Sequence, residues 1–185
     1  MGDFNCERRA GVMSVWFGCF PNREDFYRYI QTTYRAFDED DFDPVYNLRE
    51  ADFQQELEDL FLCENALRAE EAYFKEIFTD HFNHFEYDFG VIFDEDFQIC
   101  GNCEQPTLEV AKILDEWQQE LERPMKALFP EGRTEAPYNC FVAIPSFKYI
   151  GDVKHIETPE GVLDYIGCFE ESMLSNDLAE QYVLE

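Results

Sequence analysis

Three groups of residues have the types and spacing to do chemistry. The first is Cys100-Gly-Asn-Cys103, the one CxxC in the chain. A structural zinc site takes four ligands, usually two such pairs, and there is no second pair. A thioredoxin-type thiol sits at a helix N-terminus after a strand, whereas the helix signal here begins at Thr107, beyond Pro106. The spacing therefore predicts a loop with two incidental thiols. The second group is His81 and His84, three residues apart, with Asp80, Glu86 and Asp88 nearby. Imidazoles and carboxylates together can hold a divalent metal, but histidines at this spacing near an aromatic helix end also serve packing and capping, which is the reading favoured. The third group, Asp38, Asp40 and Asp43, matches a calcium loop in charge alone; the glycine and the closing bidentate glutamate are missing. No metal or other cofactor is expected.

Covalent catalysis is poorly supplied. The GxSxG, HExxH, GxxxxGK[ST] and GxGxxG patterns are absent. Ser14 and Ser146 fall inside apolar, strand-like runs with no histidine close in sequence. Paired carboxylates can act as acid and base on a glycoside, yet in so acidic a chain such pairs arise by chance. The residues predict a protein that is not an enzyme.

Charge is the stronger signal. Forty-one acids face 14 bases, a formal charge of −27, and 20 of the acids lie between Asp38 and Asp96 against three bases. Such a field repels nucleic acid and anionic membrane, attracts basic partners and speeds their encounter. At 45% hydrophobic and 17% aromatic, with 19 phenylalanines, the chain is too apolar to be disordered. The acids nearest aromatics in predicted loops are the candidate partner-binding residues: Asp38, Glu39, Asp40, Asp41, Phe42 and Asp43 in one loop, and Tyr87, Asp88, Asp94, Glu95 and Asp96 around a second apolar run. Aromatic anchors inside a charged rim are what carries affinity at protein interfaces.

The elements that must position these residues read as follows. Residues 1–11 are polar and expected to be mobile, ahead of one domain spanning 12–185. Val12–Phe20 is a strand containing Trp16 and Gly18, both expected to be structural. Asn22 caps a helix reaching about Arg35. Helices follow from Leu48 to Leu62, with Phe53, Leu57, Leu60 and Phe61 on one side, and from about Asn65 to Phe82. Phe89–Phe93 is a buried strand in which Gly90 marks a bulge or a close approach, with Phe89 and Gly90 structural. Ile99–Pro106 is a loop, and Thr107 starts a long helix kinked or ended at Pro124. Cys140–Tyr149 is a strand whose Pro145 demands an edge or a bulge. Val153–Glu157 and Val162–Phe169 are further strands, and a weak helix closes the chain near Leu174–Val183. The fold class is α+β: one mainly antiparallel sheet with helices on one face. Seven cysteines, an odd number mostly set singly among apolar residues, suit reduced thiols, and the N-terminal residues carry no apolar signal core. A cytoplasmic protein is expected.

Three blocks of the chain resemble the immunity protein 22 family: Val15-Trp16-Phe17-Gly18-Cys19-Phe20 followed by Asp25-Phe26-Tyr27-Arg28-Tyr29-Ile30; then Glu86-Tyr-Asp-Phe-Gly-Val-Ile-Phe-Asp-Glu-Asp-Phe97; then Phe141-Val-Ala-Ile-Pro-Ser-Phe-Lys-Tyr149. The resemblance implies a bacterial antidote that binds and neutralises a cognate toxin domain of a polymorphic toxin system, often a nuclease. Nuclease sites are basic because they bind phosphate, which suits an acidic inhibitor. Two other classes stay open: an acidic interaction module, such as a secretion chaperone or DNA mimic, and a carboxylate- or metal-dependent enzyme.

Overall fold

From Val12 to Gly18 every residue is buried, whichever way its side chain points. That pattern belongs to a strand at the centre of a sheet. In the computed structural model this strand, β1 (Cys6–Cys19), lies in the middle of a five-stranded sheet of order β5-β6-β1-β8-β7. Its partners are β5 (Ile99–Glu109), β6 (Arg133–Tyr149), β7 (His155–Glu157) and β8 (Val162–Glu170). Every pairing in this sheet is antiparallel. The structure describes residues 5–36, 47–62, 71–94, 96 and 98–170. The acidic loop Asp38–Asp43, with Phe42, lies outside them, as do Glu95 and the closing helix near Leu174–Val183.

The described chain forms two compact units. One comprises Asn5 and the described parts of residues 27–95; the other comprises residues 6–26 and the described parts of 96–185. The fold class is α+β, with a mainly antiparallel sheet.

In the second unit, α5 (Val110–Leu114) and α6 (Gln118–Leu128) cover one face of the sheet. Ile113, Leu114, Leu121 and Met125 join Met13, Val15, Phe17, Phe141 and Ala143 in one apolar core. The strand β1 starts at Cys6 rather than Val12, so residues 6–11 belong to the ladder: Cys6, Glu7 and Arg8 pair with Tyr149, Lys148 and Phe147. Between Arg8 and Met13 four residues of β1 oppose the single Ser146, with Gly11 at φ 80° and Ser146 at φ 53°. This is the bulge that Pro145 demanded. The Ser14 hydroxyl bridges it, donating to the Phe147 carbonyl at 2.9 Å and accepting from the Tyr149 amide at 2.9 Å.

Two expectations fail here. Ile99–Pro106 is not a loop but most of β5, an edge strand with register shifts after Asn102 and Thr107. Edge strands tolerate Pro106 and irregular pairing. Gly101 serves close packing, since a Cβ there would sit 2.7 Å from Phe141 Cε1. The helix does not start at Thr107. That residue's hydroxyl accepts the Glu109 amide at 3.1 Å, a local turn, and α5 begins at Val110. The helical run breaks at Asp115, held at φ 47°, and passes through a 3-10 turn (Asp115–Trp117) into α6, which carries Pro124 inside it.

The first unit is aromatic throughout. The helix α1 (Arg23–Ile30), whose residues up to Phe26 belong to the second unit, takes the Asn22 cap, whose side-chain oxygen accepts the Asp25 amide at 2.9 Å, but it stops at Ile30. Thr33–Arg35 is instead β2, between β3 (Asn47–Leu48) and β4 (His81–Phe82) in a small sheet. The helices α2 (Glu50–Leu62) and α3 (Glu71–Ile77) contribute Phe53, Leu57, Leu60 and Phe74 to a core with Phe78, Phe82 and Tyr87. The expected strand Phe89–Phe93 is a helix end followed by chain in neither helix nor strand: α4 spans His84–Phe89. Asn83 caps it by accepting the Glu86 amide at 3.2 Å. Gly90, at φ 63°, closes it with the Gly90 amide on the Tyr87 carbonyl and the Val91 amide on the Glu86 carbonyl. Those paired bonds form a Schellman motif, which needs a left-handed residue where Gly90 stands.

Candidate partner-binding surface

With Phe53, Leu57 and Leu60 turned inward, helical geometry sends the acids of α2 to its other side. Glu50, Asp52, Glu58 and Asp59 are exposed and Glu56 is half-buried, and the helix contains no base. Arg35 neutralises one end, reaching Glu50 at 3.5 Å and Asp80 at 2.9 Å. Further along, the carboxylates crowd one another. Burial pushes the Glu56 carboxyl above its ordinary range, and Asp52 and Asp59 push it further, against the opposing charge of Arg28. Glu58 and Asp59 lie near the helix C-terminus, where the dipole favours cations, and no basic residue stands in the last turn. Leu62, 76% exposed, follows them. The first-turn acids Glu50 and Asp52 suit the helix dipole, whereas Glu58 and Asp59 do not. The result is a surface of one sign that ends at an exposed leucine.

Of the residues singled out from sequence, Asp94 and Asp96 are exposed. Tyr87 and Asp88 are not surface residues: each is 2% exposed. The Tyr87 ring meets Phe61 and Phe74 edge-on, both at 5.4 Å, and Asp88 accepts a hydrogen bond from the Tyr29 hydroxyl at 2.8 Å. Both were assigned to a loop beside a strand; because they stand inside α4, they face the core instead. Trp16 is fully buried against Tyr149 and Tyr165, at 5.5 and 5.1 Å. Phe89 is buried too. Gly18 is a close-approach position, where a Cβ would meet Leu163, Cys140 and the Val162 carbonyl within 3 Å. The acids of α2 were missed, although the spacing that turned Phe53 and Leu57 inward already implied them.

His81 is in β4 and His84 opens α4, so the two do not share a helix as expected. Their rings pack on aromatics: His81 on Tyr34 and Phe78, His84 on Phe82 and Tyr29. Among the described residues no group of three or more His, Cys, Asp or Glu is placed to hold a metal ion. Cys100 and Cys103, on β5, are not joined in a disulfide.

The second unit has a polar chain of its own. Asp164 on β8 accepts from the Tyr138 hydroxyl at 2.8 Å through one oxygen, and its other oxygen lies 2.7 Å from His155 Nδ1. Burial, the hydrogen bond to Asp164 and the charge of that carboxylate raise the Tyr138 hydroxyl well above its ordinary value. A histidine–aspartate pair activates a nucleophile only when one lies within reach of the imidazole, and among the described residues the polar partner of His155 is Asp164. Beside this chain is a groove of about 690 Å³ between the turn after α6 and strands β6 and β8, with Phe129, Tyr138 and Ile166 among its walls.

Among the described residues no helix is long and apolar enough to cross a membrane. No family model matches the chain, and neither a curated protein nor a solved structure does.

Proposed function

We propose that this chain is a non-catalytic inhibitor: a cytoplasmic immunity protein that binds a basic toxin domain, in the first instance a nuclease, and covers the surface that would engage substrate. The observation that carries the reading is the outer side of α2. Five carboxylates lie along that helix, which holds no base of its own; Glu58 and Asp59 are set against the helix dipole, and Asp52 and Asp59 add to the burial that raises Glu56. Charge of one sign gathered along a helix attracts a partner of the opposite sign. The resemblance of the Val15–Ile30, Glu86–Phe97 and Phe141–Tyr149 blocks to the immunity protein 22 family supports the same reading, as does the net charge of −27. A basic nuclease surface is complementary to such a protein, and complementarity of this kind acts mainly on the association rate.

The test is to co-express the chain with a toxin domain encoded beside it and score survival, for wild type and for a variant carrying Asp52→Asn, Glu58→Gln and Asp59→Asn. The variant should fold with an equal or higher melting temperature, protect less well and associate more slowly. The wild-type association rate should fall about tenfold or more between low and physiological salt. Equal protection and an association rate insensitive to salt would leave the charge as a solubility device and sink the proposal.

A further inference from the structure

The groove in the second unit has walls of two kinds. Phe129, Tyr138 and Ile166 supply apolar surface, and Glu131 and Glu135 supply carboxylates on either side of Arg133. Phe129 stacks on Phe17 at 6.1 Å, and Tyr138 tilts against Phe17 at 5.7 Å, so the core holds both rings in place. The Tyr138 hydroxyl is fixed to Asp164, whose second oxygen meets His155. The aromatic wall is therefore set before anything binds, which removes part of the ordering cost of association. At about 690 Å³ the groove has the volume of a ligand site, ample for one large side chain.

We propose that this groove is a docking site for a basic segment of a partner protein. One large apolar side chain of that segment enters between Phe129, Tyr138 and Ile166, and flanking lysines or arginines meet Glu131 and Glu135. The apolar walls select the inserted residue. The flanking charge follows from two carboxylates outnumbering one guanidinium, within a chain whose net charge is −27. The site rests on the reading of the chain as a binder of basic proteins, and it lies in the other unit from α2. Arg133 opposes such a ligand and lowers its affinity, so Glu131 and Glu135 together must outweigh it.

Amide-resolved NMR titration with three synthetic peptides tests the site: Lys-Lys-Phe-Lys-Lys, Lys-Lys-Ser-Lys-Lys and Glu-Glu-Phe-Glu-Glu. The first should give saturable shifts at Phe129, Glu131, Glu135 and Ile166, and the other two should not. Replacing both exposed acids (Glu131→Gln with Glu135→Gln) should weaken that peptide by about two- to tenfold, and Arg133→Gln should tighten it by about twofold. Equal shifts from the serine peptide would reduce the groove to a general acidic surface and overturn the proposal. Shifts from the glutamate peptide would make Arg133 the anchor and overturn it as well, as would no shift at these residues. The titration is repeated on the α2 triple variant. Groove shifts that survive there, while partner association slows, keep both ideas. A silent groove with slowed association rejects the groove alone, and unchanged association rejects the α2 surface alone.

Discussion

The Tyr29 hydroxyl donates to Asp88 Oδ2 at 2.8 Å, and both side chains are buried. A buried carboxylate that loses a donor keeps its desolvation cost, which amounts to about 1–3 kcal/mol. Tyr29→Phe should lower stability by about that much, measured by chemical denaturation. Asp88→Asn should likewise destabilise while leaving the association rate with a basic partner unchanged, the opposite of what neutralising the acids of α2 should do. A slower association in folded Asp88→Asn would return Asp88 to the interface.

Alkaline pH should unfold the protein early. Burial raises the hydroxyls of Tyr138, Tyr149 and Tyr165 above the ordinary tyrosine value, with Asp164 adding to the effect on Tyr138 and Tyr165 to that on Tyr149. In the unfolded chain tyrosines ionise near about pH 10. Above that pH the unfolded state releases protons the folded state retains, so stability is full below about pH 10 and falls as pH climbs toward the folded values. Ultraviolet absorbance should show these tyrosines ionising together with unfolding. If they titrate near the ordinary value in protein still folded by circular dichroism, the burial argument fails.

Glu56→Gln should stabilise the protein at neutral pH. The raised carboxyl of Glu56 means that its charged form is disfavoured in the fold, so stability is greater below the carboxylate range and is lost as pH rises through the folded value. Relieving the i,i+4 repulsion from Asp52 should contribute about 0.2–0.5 kcal/mol, visible as a higher melting temperature that converges with wild type at acid pH. A lower melting temperature at neutral pH would contradict the crowding described for α2.

Two core positions should respond for different reasons. Trp16→Ala empties a site that is 0% exposed and should cost about 3–5 kcal/mol. Gly18→Ala adds only a methyl group, yet its nearest neighbours include the Val162 carbonyl at 2.9 Å, which belongs to the paired strand β8 and cannot swing aside. Overpacking of this kind costs about 1–3 kcal/mol. Denaturant midpoints for both variants check this; a neutral Gly18→Ala would mean that β1 and β8 separate more readily than their register implies.

The long apolar strands were legible because their signal is local: unbroken burial from Val12 to Gly18 and again from Tyr138 to Pro145 follows from composition alone. The Asn22 cap and the inward residues of α2 were readable for the same reason. Phe89–Phe93 misled because β-branched and aromatic residues favour strands, while the stronger instruction lay in the spacing Asn83-His-Phe-Glu86, a helix start, and in Gly90 as its end. Reading those two signals together would also have placed Tyr87 and Asp88 in the core. The strand β5 was illegible because Gly101, Asn102 and Pro106 look like turn residues, and only its position at the sheet edge, a tertiary fact, makes them tolerable. The groove depends on β6, β8 and the turn after α6 converging, which no local pattern announces.

The strand order also fixes when the sheet can form. The first strand made, β1, lies between β6 and β8, both from the far end of the chain, and the contact of Ser14 with Tyr149 spans 135 residues. A ribosome therefore releases β1, with its buried run Val12–Gly18, long before either neighbour exists. Pairings so distant in sequence form slowly, and an unpaired apolar strand is prone to aggregate in the interval.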